Sequence, residues 1–327
     1  MSTHNDHSDA VLRVLADGQF HSGEHLARQI GVSRSAVWKQ VKALAGLGLE
    51  VFRVPGKGYR LAAPLELLDA ARIRAGLAPA HRARLGALHV LHVVDSTSTW
   101  LAAHAPVAPA ACLAEMQTAG RGRRGRHWVS PFAANLYLSC VWQFEELPPG
   151  FTALGMAAAI AAARALHACG ARNVAVKWPN DLVAGGAKLG GILVDVQGEP
   201  SGGLRAVIGV GINVRMPAQA APGIDQPWTD LVSQLNGVVP GRNALAASLL
   251  DELFRALECF GAQGFAAFGD DWRALDQVAG RTVVLQQHDQ RISGTALGVD
   301  RDGALLLETG GETRRFVSGD ISLRVQA

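Results

Sequence analysis

Between two apolar runs, Ala111–Gln117 and Asn135–Val141, the chain places Gly120-Arg121-Gly122-Arg123-Arg124-Gly125-Arg126. Runs of that length and character are strands, so the loop that follows the first carries four guanidinium groups to the end of a sheet. Its glycines let the backbone approach a ligand and present N–H groups, and its arginines offer forked donors to phosphate or carboxylate. The alternative is an exposed basic loop of the RGG type that binds RNA. A tract of that kind is longer and flanked by disorder, whereas this is one copy beside strands. A small-molecule anion site is therefore expected.

A chain of 327 residues exceeds what one core organises, so two or three domains are expected. With 49% hydrophobic and 18% charged residues it is of ordinary globular composition, which excludes a disordered chain. Cys112, Cys140, Cys169 and Cys259 stand far apart without a C-x-x-C pair. They read as reduced core thiols, not as a disulfide frame or zinc site, and no metal-ligand set is predicted. The N-terminus lacks a basic region followed by an apolar run. Phe151–Cys169 is mostly alanine and carries Arg164 and His167, which predicts a buried helix ended by Gly170 and no membrane span. A cytoplasmic protein is the expectation.

Residues 21–60 hold seven Lys/Arg against two Asp/Glu, a concentration suited to a phosphate backbone. Ser8 is placed to cap a helix bearing Val11, Leu12 and Leu15, with Gly18 as its stop; Ser22 can cap Glu24–Ile30. After Gly31-Val32, Ser33 caps a third helix with Val37, Val41, Leu44 and Leu47 as its buried stripe. Two helices joined by a tight turn make a helix-turn-helix. Ser33, Arg34, Ser35, Lys39 and Lys42 are its candidate DNA contacts. Val51–Leu61 alternates around Pro55-Gly56-Lys57-Gly58, a hairpin with Lys57 at its tip. Three helices and a hairpin form a winged helix, with a protein–protein helical module as the alternative. Leu65–Gly76 is expected to be a helix leading onward.

In the middle, Leu88–Val94 reads as a buried strand ending in Asp95-Ser96-Thr97-Ser98-Thr99, hydroxyls at a helix mouth. Val174–Val183 is a strand broken at Pro179 that exposes Lys177, Asn180 and Asp181. Gly185–Gly191 is a glycine-rich hairpin carrying Lys188. Ile192–Val196 and Leu204–Val210 are further strands, closed by Gly211-Ile212-Asn213. Lys188 and Lys177, with the arginines, suit an attack that builds negative charge on phosphate; the Asn/Asp pair suits ribose, phosphate or Mg²⁺. Helices at about 242–260 and 265–275 follow. Arg281–Gln287, Arg291–Gly298, Ala304–Thr309 and Thr313–Val317 then alternate around short turns, which reads as a small β-barrel.

Asp95-Ser-Thr, Gly120–Arg126, Lys177-Trp-Pro-Asn-Asp181, Lys188-Leu-Gly-Gly-Ile-Leu193 and Gly211-Ile-Asn213 together resemble the biotin–protein ligases. With His21-Ser-Gly-Glu24, Ser33-Arg34 and Val54–Tyr59, the chain is similar to the bifunctional members that also repress biotin operons. The arginine loop and the Lys-Trp-Pro-Asn-Asp run are the specific pieces. The implied architecture is α+β and multi-domain. A winged helix-turn-helix spans 1–63, a central mixed-sheet α/β ligase domain of class II synthetase type 64–277, and an SH3-like β-barrel 278–327. Gly319-Asp-Ile-Ser-Leu-Arg324 resembles the family's closing motif.

The resemblance implies an enzyme that activates biotin with ATP and Mg²⁺ to biotinyl-5′-adenylate and passes it to a lysine of a biotin carboxyl carrier protein. Ser96, Thr97, Ser98, Gln117, Arg121, Gly122, Arg123 and Lys188 would hold biotin, with Lys188 and Arg123 on the reacting charge. Lys177, Asn180, Asp181, Arg126, Asn213 and Trp228 would hold ATP and the adenylate. Operator DNA and an adenylate-bound homodimer are the further implied partners. The bifunctional relatives carry Asn-Gln where this chain has Ser98-Thr99, which removes amide donors and shortens reach. Two alternative readings are a lipoate–protein ligase and a ligand-sensing repressor that does not transfer its ligand.

Overall fold

The hydroxyls of Ser22 and Ser33 accept from the N–H groups of His25 and Ala36, so each serine caps the helix that follows it. In the computed structural model, which describes residues 3–105, 107–198, 203–287, 290–317 and 321–325, α1 (Thr3–Leu15) precedes α2 (Gly23–Ile30) and α3 (Arg34–Gly46). Val11, Leu12, Leu15, Leu26, Val37, Val41 and Leu44 bury together as their core. Because α1 begins at Thr3, Ser8 lies inside the helix and does not cap it. Strands β1 (Val51–Val54) and β2 (Gly58–Leu61) pair as an antiparallel hairpin, and Tyr59 exchanges two backbone hydrogen bonds with His21. These elements form one compact unit that reaches Leu68 and to which Pro131–Ala133 is assigned; a second begins at Asp69.

The second unit opens with α4 (Ala70–Gly76), shorter than the expected Leu65–Gly76 helix. The Asp69 carboxylate accepts from the Arg72 N–H at 2.8 Å and caps the helix there. Then come α5 (Pro79–Arg84), β3 (Ala87–Val94), α6 (Thr97–His104), β4 (Ala110–Gln117), β5 (Leu136–Phe144), α7 (Leu154–Ala168), β6 (Val174–Lys177), β7 (Asp181–Ala184), β8 (Ala187–Gln197) and β9 (Leu204–Ile212). The strands form a seven-stranded mixed sheet of order β3-β4-β5-β9-β8-β7-β6, in which β3–β4 is the one parallel pair. Strand β3 is half-buried where a buried strand was expected, because as an edge it is covered on one side alone. The segment Phe151–Ala168, which contains α7, is long and apolar enough to cross a membrane by composition, yet it is mostly buried in the protein, and Gly170 (φ 98°) follows the cap of α7.

Register assigns the two faces of this sheet. Ser139, Val141, Val207, Gly209 and Gly211 share one face, where Leu101 of α6 packs on Val141 and Val207. Trp142, Phe144 and Val194 point the other way, toward α7 and the long helix near the C-terminal end of this sheet domain: Gly155 lies beside Val194, and Trp142 meets Phe254 edge-on at 5.3 Å. After the short α8 (Leu231–Gln234), that long helix is α9 (Arg242–Gln263), followed by α10 (Gly269–Leu275). At the start of α9, Arg242 is buried and forms an ion pair with Glu115 of β4 at 2.7 Å while donating to the Asn135 carbonyl at 3.1 Å. Burial pushes the Cys112 and Cys140 thiols up to about 12, so both behave as apolar fillers.

The last strands are β10 (Thr282–Gln287), β11 (Gln290–Val299), β12 (Leu305–Thr309), β13 (Glu312–Phe316) and β14 (Ile321–Val325). They form an antiparallel sheet of order β13-β12-β11-β10-β14. Among the described residues β13 and β14 are its two edges and do not pair, so the expected SH3-like barrel is found as an open sheet. Of Gly319–Arg324, Gly319 and Asp320 lie outside the described residues; Ile321–Arg324 belong to β14. The sheet is anchored to the seven-stranded sheet by Trp178, whose indole N–H donates to the Gly303 carbonyl at 3.1 Å.

Arg242→Met removes one partner of a buried ion pair and leaves Glu115 charged in the core. A loss of about 3–5 kcal/mol in urea denaturation is expected, with most of it recovered in the double variant Arg242→Met, Glu115→Leu.

A cationic cavity on the glycine face of the sheet

The arginine loop folds back on itself through backbone alone. Gly122 N–H donates to Arg126 O at 2.7 Å, and Trp128 N–H donates to Gly120 O at 2.8 Å. A Cβ at Gly120 would stand 2.5 Å from the Trp128 carbonyl, so that position tolerates no side chain. The tip takes a left-handed turn at Arg124 (φ 58°) and Gly125 (φ 71°). The fold thereby delivers Trp128 onto the sheet, where Gly191 of β8 and Gly211 of β9 are register partners. A Cβ on Gly211 would lie 2.7 Å from the Trp128 indole and one on Gly191 3.6 Å from it. Two paired glycines thus leave a bare backbone floor on which the indole lies flat enough to close one wall of a cavity.

A β-bulge turns the key lysine into that cavity. Leu182 pairs with Gly190, but the next residue of β7, Val183, pairs with Lys188, so β8 spends one extra residue at Leu189. Lys188 consequently faces the same side as Gly191. Its ammonium lies 2.7 Å from Asp181 Oδ1 and 5.6 Å from the centre of the Trp128 ring. The β6–β7 hairpin sets Lys177 opposite Asp181, and their side chains stand 3.5 Å apart. The Asn180 side chain donates to the Ile192 carbonyl, and Arg123 reaches Asn180 Oδ1 at 3.5 Å. Lys188 is also tied by backbone bonds to Pro227 and Thr229, which brings Trp228 alongside; Asn213 donates to the Thr229 carbonyl at 3.0 Å.

At the deep end the groups are neutral. Gln117 Oε1 accepts from the Thr97 N–H at 2.9 Å and from its hydroxyl at 3.2 Å, and Thr97 Oγ1 shares a hydrogen bond with Ser139 at 2.8 Å. Gln117 Nε2 donates to Ser130, which donates to the Trp128 carbonyl. Ser96 and Ser98 hydroxyls share a bond at 2.9 Å. Burial raises the Tyr137 phenol far above its usual range, against weaker opposing effects of Asn135 and Arg242, so it stays protonated.

The result is a cavity of about 620 Å³ whose wall includes every residue expected to hold a ligand: Ser96, Thr97, Ser98, Gln117, Arg121, Gly122, Arg123, Arg126, Lys177, Asn180, Asp181, Lys188, Asn213 and Trp228. Seven Lys/Arg and two Asp line it, so it favours an anion. Arg121 forms a two-point contact with Asp195 of β8 (3.0 and 3.3 Å) and is half-exposed, so in this state its guanidinium serves the protein. Trp128, Ser130, Tyr137, Ser139 and Asp195 were not foreseen. Trp128 was the most legible of them, as the aromatic that closes the loop sequence. The DNA candidates Ser33, Arg34, Ser35, Lys39, Lys42 and Lys57 are all exposed on the first unit, with Lys42 over the Trp38 ring and Lys57 over Phe20.

A cation-lined cavity with a neutral hydroxyl end, on a mixed sheet in a chain that also holds a helix-turn-helix, defines a ligase-type ligand site joined to a DNA-binding module. Residues 90–213 match the biotin/lipoate A/B protein ligase family, residues 8–60 an HTH domain, and residues 278–324 the biotin protein ligase C-terminal domain. The chain is 43% identical to the bifunctional ligase/repressor BirA of Escherichia coli and 31% identical to that of Bacillus spizizenii, over 96% and 94% of its length and 96% and 95% of theirs. It belongs to this family of biotin ligase/repressors. The biotin protein ligase of Aquifex aeolicus in complex with biotin and ATP has the same fold over 74% of this chain and 100% of its own, with a TM-score of 0.62 and 26% identity.

Gly211→Ala puts a methyl group where the Trp128 indole lies. Overpacking of this kind costs about 1–3 kcal/mol. The expected readout is a changed Trp near-UV circular dichroism signal and at least a tenfold loss of ligand affinity (about 1.4 kcal/mol), measured by calorimetry.

Proposed function

We propose that this protein biotinylates a lysine of a biotin carboxyl carrier protein through biotinyl-5′-AMP and represses biotin genes in response to that adenylate. The observation that carries the reading is the pairing of a neutral pocket end with a cationic one in a single cavity, with Lys188 between them. A ring with hydrogen-bonding edges fits against Ser96, Thr97, Ser98 and Gln117, and a carboxylate then comes to lie near Lys188 and Arg123. Gly122 contributes its backbone and Arg121 reaches the ligand after leaving Asp195. Lys177, Asn180 and Arg126 face the phosphates with Asp181 toward the accompanying Mg²⁺, and Trp228, beside Asn213, stacks on adenine.

No side chain acts as nucleophile. The biotin carboxylate oxygen attacks the α-phosphorus, the bond to the bridging oxygen breaks, and pyrophosphate leaves with the electron pair. The carrier lysine amine then attacks the mixed anhydride and AMP departs. The protein contributes orientation and positive charge where negative charge grows. Mg²⁺ prefers oxygen ligands and keeps several waters. The ion would arrive with the triphosphate, near Asp181.

The family matches at 8–60, 90–213 and 278–324 support three working parts, 1–63, 64–277 and 278–327. The last is an SH3-like cap in this reading, the middle one a class II synthetase-like domain. The protein works in the cytoplasm, where its free cysteines stay reduced. Adenylate binding favours a homodimer that presents two winged helices to a two-fold operator. The match of residues 8–60 to an HTH domain and the near full-length match to bifunctional ligase/repressors favour this over a lipoate–protein ligase or a ligand-sensing repressor that does not transfer its ligand.

Lys188→Ala is expected to slow pyrophosphate release by about 10²–10³ while leaving thermal unfolding of the winged helix unchanged. An unaltered rate would remove Lys188 from the reaction. On operator DNA, Lys57→Ala should lower the slope of log affinity against log salt by about one and leave sequence preference intact. Biotin plus ATP should raise the gel-shift affinity of the unaltered protein.

A further inference from the structure

The cavity wall receives one cation from outside the ligase-type sheet. Arg281 stands at the start of the C-terminal region, just before β10, and lines the same cavity as Lys177 and Arg126. Its position is fixed by backbone and turn chemistry. The Asp276 carboxylate accepts from the Val278 N–H at 2.9 Å and from the Trp272 indole at 3.2 Å, and Asp276 forms a parallel bridge with Val176, the neighbour of Lys177. The Gln277 N–H donates to the Val176 carbonyl at 3.0 Å. The chain then turns through Gly280 (φ 76°), with Arg281 N–H on Val278 O, Gly280 N–H on Ala296 O and Ala296 N–H on Arg281 O. Every one of those bonds is to main chain or to the half-buried Asp276 carboxylate, so the backbone is held up to Arg281 and its side chain extends from a tethered point.

The guanidinium is exposed, and among the described residues it forms no ion pair or side-chain hydrogen bond. Of the other cations lining the cavity, Lys177 and Lys188 share Asp181 and Arg123 reaches Asn180, while Arg126 stands exposed on the arginine loop. A nucleoside triphosphate bound by its α-phosphate near Lys188 must send its β- and γ-phosphates outward toward the rim. Those phosphates carry most of the ligand's charge, and a planar guanidinium binds them with paired donors. We propose that Arg281 is a binding residue for the β,γ-phosphates of the nucleotide and for the pyrophosphate they become.

The proposal rests on the ligase reading above, and the experiment separates the two. Full-length protein and its Arg281→Ala and Arg281→Lys variants are titrated with biotin, then with MgATP, and assayed for product inhibition by pyrophosphate. In Arg281→Ala the inhibition constant for pyrophosphate and the KM for MgATP should each rise on the order of tenfold, the worth of one charge-assisted contact. Biotin affinity and melting temperature should stay within error, and Arg281→Lys should recover part of the loss, since it keeps the charge without the fork. Unchanged pyrophosphate inhibition in a folded, biotin-binding Arg281→Ala protein would overturn the proposal alone. Failure of the unaltered protein to bind biotin would overturn the ligase reading and this proposal with it.

Discussion

One carboxylate organises the cationic end of the cavity. Asp181 accepts Lys188 on one oxygen and lies near Lys177 on the other, and all three side chains are mostly buried. Two ammonium groups at that depth repel each other strongly in the absence of an anion, because the effective dielectric is far below that of water. Asp181 resolves the repulsion and also sets both cations at a fixed height above the sheet. An anion entering the cavity meets positive charge already in place, and preorganised charge stabilises cheaply because little has to rearrange to meet it.

That arrangement depends on an irregularity in the sheet. Without the extra residue at Leu189, Lys188 would point toward α7 and the opposite face, and its charge would be lost in the core. The glycines on either side serve the same site. Gly191 and Gly211 clear space for an indole, while Gly185 and Gly186, both at positive φ, make the tight turn that starts β8. What reads in sequence as a glycine-rich hairpin with one lysine is a strand whose bulge aims the lysine and whose glycines form the floor.

The sequence made the inventory legible and left the geometry hidden. Capping serines, the α3 stripe, the strand order along the chain and the membership of the cavity could be read because each depends on local pattern or on motif. Ser8 was misread because a helix start depends on which of several polar residues wins, and here α1 began earlier at Thr3. The edge position of β3 and the open C-terminal sheet depend on pairing between distant strands, which no local pattern encodes. Arg121 shows the same limit inside the site: its sequence neighbours mark it as a ligand arginine, yet Asp195, distant in sequence, holds it in this state. Ser130 and Ser139 were invisible for the same reason, since their role is to fix Gln117 and Thr97 and they carry no motif of their own.

Two buried polar atoms near the cavity wall have no protein partner among the described residues, the Trp128 indole N–H and the Asn213 side-chain oxygen. An unmet group of this kind costs about 1–3 kcal/mol. Both belong to residues whose remaining contacts are firm: Trp128 lies on the Gly191–Gly211 floor, and Asn213 is held through its amide to Thr229. The protein therefore spends stability to hold a donor and an acceptor in fixed directions beside a ligand space. A ligand with a matching acceptor and donor recovers that cost on binding, and a shape analogue lacking them does not.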